Sequence, residues 1–200
     1  LRYEDSRRVQ IHVPECPDLV NLVFLLPEDR DALLAALAQL KVKRIHFHQV
    51  IGAPGELFQL VMDAAIPYDC TLHDYAWLCP QVNLIDASRS YCGEPADIRD
   101  CESCLRRSGN HKDWQTFPMF AASVSELRAF SGDFLRRAAS VRAPSSDAAK
   151  RFTRYFPSAR ITAEPHDRIK PSKRVAPRRP GEPARVALIG SIGLSKGDDV

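Results

Sequence analysis

Long apolar runs are what this sequence most plainly lacks. No stretch approaches the roughly 18 consecutive apolar residues of a membrane-spanning helix, so none is expected. The first residues, LRYEDSRRVQ, carry neither an initiator Met nor the apolar core of a signal peptide, and nothing signals export. Charge of one sign is also scarce: 28 Lys and Arg stand against 25 Asp and Glu, a net +3. Such a balance gives no footprint of nucleic-acid binding, which needs basic residues clustered on one face. With 9 Gly and 15 Pro, the chain is neither a collagen-like fibre nor globally disordered. Its length of 200 residues excludes a tiny disulfide scaffold. What is there suits a globular fold. A 44% apolar and 26% charged composition can bury a core in one domain, or in one domain plus part of a second.

The one basic run lies between Arg168 and Arg185, where seven Lys or Arg are interleaved with prolines. It reads as a solvated interdomain linker rather than a phosphate-binding arm. It has no interleaved aromatics on which bases could stack, so nucleic-acid binding ranks last.

Along the chain, short apolar runs alternate with helical stretches, the signature of parallel α/β units. Residues 7–13 and 21–26 read as strands, and EDRDALLAALAQL reads as a helix with Leu33, Leu34, Leu37 and Leu40 on one stripe. KRIHFHQV is a strand, ELFQLVMDAA the crossover helix after it, and YDCTLHDY the next strand with its exit. A long irregular, Cys-rich insertion is expected over about 77–117. A helix follows it, with a break at Gly132. Residues 139–145 form a strand, and Ser145 or Ser146 caps a helix that Pro157 ends. ARITAEP is a further strand. The expected fold class is therefore α/β, a Rossmann-like parallel sheet flanked by helices. Residues 1–166 form one domain, 167–184 a Pro-rich basic linker, and 185–200 the first strand and turn of another domain.

Three constellations could carry chemistry. Cys79, Cys92, Cys101 and Cys104 lie in the irregular stretch, and Cys101-Glu-Ser-Cys104 has the spacing with which a tight turn aims two thiolates at one metal. A structural zinc would hold a segment with so little apolar periodicity. Free thiols, disulfides and redox chemistry are the other readings. Cys16 and Cys70 read as ordinary small residues. His48 and His73 end neighbouring strands, and in α/β sheets ligands bind outside the carboxyl ends of strands. With Asp74 beside it, His73 could act as a general base or bind hydroxyl groups. His12, His46, His111 and His166 read as structural. Finally, GSIGLSKG over 190–197 follows a strand. It matches neither the P-loop nor GxGxxG, but Gly193 and Lys196 suit a phosphate or diphosphate contact.

Several of these pieces fit one family. The segments HDYAWLCPQVNLID, the later YC and CxxC, VRAPSSDAAKRFTRYFP and VALIGSIGLSKGDDV resemble bacterial GT-B glycosyltransferases of family 4, in the branch that assembles polysaccharides and O-antigens. The resemblance spans about Leu22 to Val200. It implies the acceptor-side half of an enzyme that moves a sugar from a nucleotide-sugar donor to a glycan or lipid-linked acceptor. His73 and Asp74 match positions near the transferring sugar, His48 and Tyr75 would line the acceptor site, and Gly193 and Lys196 would contact the donor diphosphate. The resemblance implies no redox cofactor and no catalytic metal, so any zinc would be structural. It also implies a cytoplasmic location, with lipid-linked acceptors bringing the protein peripherally to the inner face of a membrane. Ser191 departs from the Arg common in the family at that place. A Gly-rich acceptor loop is expected before Leu1 and an acidic pair beyond Val200, so the fragment alone is expected to be inactive. The alternative is a non-catalytic, zinc-stapled module that binds glycans or proteins. Oligomeric state is not legible.

Overall fold

The computed structural model describes residues 2–3, 7–16, 18, 20–48, 50–109 and 123–165. The chain divides between Glu164 and Pro165 into two compact units. The expected linker and the final strand and turn, with Gly193 and Lys196, lie outside the described residues. In order, the first unit holds β1 (Arg2–Tyr3), β2 (Arg8–Gln10), β3 (Val23–Leu25), α1 (Arg30–Gln39), β4 (Ile45–Phe47), α2 (Gly55–Asp63), β5 (Tyr68–Thr71), α3 (Ile98–Ser108), α4 (Val124–Arg137), β6 (Ser140–Ala143), α5 (Ser146–Tyr155) and β7 (Ile161–Ala163). Among the described residues, no helix is long and apolar enough to cross a membrane.

Strands β4, β5, β6 and β7 pair in that order, all parallel, in a four-stranded sheet. The protein is thus mixed α/β, with a parallel sheet flanked by helices. Each parallel step is bridged by a helix, α2, α4 or α5 in turn, as parallel pairing requires. The first two expected strands do not join this series. They form a separate antiparallel sheet with β1, in which Val9 faces Phe24 and Arg8 faces Leu25. The reason lies in the connection. The connection over 11–22 contains Pro14 and Pro17 in sequence, and its described residues hold no crossover helix, so the chain turns back on itself.

Alternation along the parallel strands sorts side chains onto two faces. One face carries Phe47, Tyr68, Cys70, Val141 and Ala143, all buried. Helices α2 and α4 cover it with aromatic rings. Phe58 stacks on Phe47 at 5.2 Å between centroids, and Phe134 stacks on Tyr68 at 4.4 Å. The buried Tyr68 hydroxyl donates to the Phe134 carbonyl at 2.7 Å, so that hydroxyl is satisfied.

Helix starts follow the sequence signals. Ser123 accepts the Glu126 amide at 3.0 Å, the first half of a capping box, and Ser145, not Ser146, accepts the Ala148 amide at 3.1 Å. The expected break at Gly132 does not occur, because α4 runs through it against the Phe156 ring. Packing of that face outweighs the helix cost of one glycine, about 1 kcal/mol. The expected irregular stretch also contains a helix, α3. Asp97 caps it through the Arg99 amide, Arg106 and Arg107 occupy its last turn, and Gly109 ends it at φ 69°. Its apolar stripe is sparse, made of Ile98, Cys101, Cys104 and Leu105 among polar residues.

Candidate functional site

The opposite face of the parallel sheet is polar. Its rows follow from alternation: Arg44, His46 and His48 along β4 and its exit, Asp69, Thr71 and His73 along β5 and its exit, then Ser140 and Arg142 on β6. Across β4 and β5 these side chains pair into three rungs. At the amino end, Arg44 donates to both Asp69 oxygens, at 3.0 and 2.9 Å. In the middle, His46 Nε2 lies 2.8 Å from Thr71 Oγ1. At the carboxyl end, His48 Nδ1 lies 3.2 Å from His73 Nε2. The rings of His46 and His48 stack at 4.1 Å, so the upper two rungs form one imidazole cluster.

Each rung has its own electrostatics. Burial alone would raise the Asp69 pKa, but hydrogen bonds from Arg44 and Ser140 outweigh it and hold the carboxyl below the usual range. Burial depresses the His46 pKa, and repulsion from His48, Arg142 and His73 adds to this, while Asp69 opposes it. Neutral imidazole is therefore favoured at that rung. A hydrogen bond between His48 and His73 needs one donor and one acceptor nitrogen, so it holds one proton between the facing atoms. The exposed imidazole nitrogens of this pair can hydrogen-bond a hydroxyl.

The structure brings His48 and His73 together, as their places at adjacent strand ends implied. Both are exposed. Asp74 turns inward to the chain: its Oδ1 accepts the Ala76 amide at 2.9 Å and shapes the exit from β5. Tyr75 packs its ring on Phe152 of α5, with centroids 5.6 Å apart. A cavity of about 620 Å³ opens beside β4, lined among others by His12, Arg44, His46, His48 and Leu37 of α1. His46, assigned a structural part from sequence, belongs to the cluster; so do Arg44, Asp69 and Thr71. The signal was present in the period-two alternation RIHFH and DCTLH, which puts all of them on one face.

The second constellation lies beyond β5. Cys79, Cys92, Cys101 and Cys104 all line one cavity of about 310 Å³, together with Arg107 and Arg128. All are free thiols. Arg128 donates to Cys101 Sγ at 3.3 Å and to the Leu78 carbonyl at 3.0 Å. Burial pushes the Cys79 thiol up to about 11, and raises Cys92 as well, with the neighbouring Cys101 adding to both. Among the described residues, no three His, Cys, Asp or Glu side chains converge as a finished metal cage. Nearby, the buried Glu94 is gripped by Arg151 and by Arg154 at 2.6 Å, and accepts the Tyr91 hydroxyl, tying this segment to α5.

No protein-family model, curated protein or solved structure matches the chain.

Proposed function

We propose that this chain is the acceptor side of a GT-B-type glycosyltransferase, with a Rossmann-like fold, transferring a sugar from a nucleotide-sugar donor to a hydroxyl of a glycan or lipid-linked acceptor. The observation that supports it best is the exposed His48–His73 pair, set at the carboxyl ends of adjacent parallel strands, with His48 lining a cavity of about 620 Å³. Such a pair suits an acceptor hydroxyl, which needs a hydrogen-bond acceptor to draw off its proton as the sugar is transferred. In this reading His73 is the group nearest the reacting oxygen and His48 fixes its ring. Asp74 acts as a positioning residue by shaping the turn that presents His73, while Tyr75 anchors that turn to α5. Gly193 and Lys196 would meet the donor diphosphate, whose charge builds up as it leaves.

The test is a titration of the chain with neutral oligosaccharides and with a lipid-linked sugar, following the imidazole proton and carbon resonances by NMR. Saturable shifts at His48 and His73, lost in His73→Asn with the fold retained, are expected. Transfer of labelled sugar from a nucleotide donor should be abolished by the same substitution. Saturable binding without transfer in a chain extended to include the donor-binding half would point to a binding module instead. No imidazole response at millimolar saccharide would overturn the reading.

A further inference from the structure

The helix α3 poses a problem of cohesion. It is 11 residues long and none of its residues is fully buried; Ile98, Cys101, Cys104 and Leu105 are half-buried. A helix of that length is marginal in water, and helices in proteins usually persist because an apolar face packs away. Here the direct ties are few: Glu102 accepts the Ser125 amide at 2.9 Å and its hydroxyl at 3.1 Å, and Arg128 reaches Cys101. Such partly exposed polar contacts contribute about 0.5–1.5 kcal/mol each. The loop leading to α3 is itself costly. Val82, Leu84, Arg89 and Glu94 all take positive φ, between 53° and 66°. For side-chain-bearing residues such backbone costs about 1 kcal/mol or more each and persists only where the surroundings over-determine it.

What this strained loop and this half-buried helix share is cysteine. Cys79 leaves the β5 exit, Cys92 sits in the loop, and Cys101 and Cys104 lie three residues apart on α3, where neighbours at that spacing share a face. All four face the same cavity, whereas Cys16 is exposed elsewhere and Cys70 is buried in the sheet. We infer that Cys79, Cys92, Cys101 and Cys104 bind one structural zinc ion, which fastens α3 and its loop to the α/β core. Four sulfurs at about 2.3 Å would complete the tetrahedron zinc prefers, and because no such group has converged among the described residues, binding requires the thiols to close in across the cavity they line. On binding, each thiol gives up its proton, so one Zn²⁺ replaces four H⁺ and the cluster carries two negative charges. Arg128, already donating to Cys101, offsets part of that charge from the outer shell, and Arg107 lines the same cavity.

The inference stands apart from the glycosyltransferase reading, and its test uses no sugar. The 200-residue chain is purified under reducing conditions with zinc supplied, dialysed, and analysed for metal by mass spectrometry. About one zinc per chain is expected, and cobalt substitution should give the intense visible bands of a tetrahedral thiolate site. Chelation should lower Tm and deprotect four thiols toward a disulfide reagent, leaving the Cys16→Ser variant with full metal content. Cys104→Ser should lose the metal or hold it far more weakly, and Arg128→Met should weaken it about tenfold while keeping its stoichiometry. Because cysteine variants can fail to fold, the cobalt spectrum of the unsubstituted chain is the deciding readout. A fully reduced, folded chain that retains no zinc and gives no thiolate–cobalt bands would overturn the inference. So would a Cys101–Cys104 disulfide in protein isolated without reductant.

Discussion

The two faces of the parallel sheet are built from the same strands and do opposite work. On one, Phe47, Tyr68, Cys70 and Val141 are shut away beneath α2 and α4, with Phe58 and Phe134 completely buried. On the other, Arg44, His46 and His48 are exposed, and they pair with Asp69, Thr71 and His73 through ionic and hydrogen-bonded rungs. Parallel sheets usually read as near-continuous apolar runs because both faces are covered. Here β4 and β5 alternate instead. One face holds the fold, and the other carries the paired polar side chains.

That contrast can be broken most severely from the apolar side. Phe134 contacts Phe47, Tyr68, Phe58, Trp77 and Phe130, and is fully buried. Phe134→Ala should cost about 3–5 kcal/mol in urea unfolding, from lost transfer and the cavity left behind. A loss under about 1 kcal/mol would mean the aromatic cluster is not the keystone of this core. On the polar face the largest single effect should come from Asp69. Asp69→Ala removes an acceptor for Arg44 and Ser140, and should cost about 1–2 kcal/mol at neutral pH. The figure is modest because Arg44 is more than half exposed and regains water. The pH dependence sharpens it. The folded carboxyl titrates below its ordinary value, so its stabilisation is complete above about pH 4 and fades as pH falls toward the folded value. Wild type and Asp69→Ala should therefore converge in acid, and parallel curves would exclude the ion pair as the source.

Much of this organisation was legible in the residues. The period-two pattern placed β4, β5, β6 and β7, and Ser145 with Pro157 bracketed α5. The neighbouring strand ends of His48 and His73 made them candidates before any coordinates. What escaped had physical causes. Residues 7–13 and 21–26 have strand composition in either orientation, and only the missing crossover helix decides for antiparallel pairing. His46 looked structural although the alternation RIHFH set it on the face of Arg44 and His48, because the sequence does not give the strand register that brings it opposite Thr71. Helix α3 offers only Ile98, Leu105 and two cysteines as its apolar side, none of them fully buried, and in a Cys-rich stretch that sparse pattern went unread. Glu94 drew no notice in a loop, since its two arginines lie on α5, nearly sixty residues away.

The smallest predicted effect is also the most discriminating for the polar face. His46 is disfavoured as a cation by burial, by His48 and His73 beside it and by Arg142 on β6, with Asp69 the one opposing charge. Its folded pKa therefore lies below the ordinary value near 6.5, so the unfolded chain takes up the proton first as pH falls. The stabilisation that neutral His46 gives is complete above about pH 6.5, declines below it, and levels off beneath the folded pKa. His46→Gln keeps a hydrogen-bonding group opposite Thr71 but cannot titrate. Urea midpoints of the two proteins should then differ with pH only below about 6.5, with wild type losing ground in acid. A difference that stays flat from pH 7.5 to 5, or that grows in favour of wild type in acid, would remove His46 from the cluster and leave a two-histidine site.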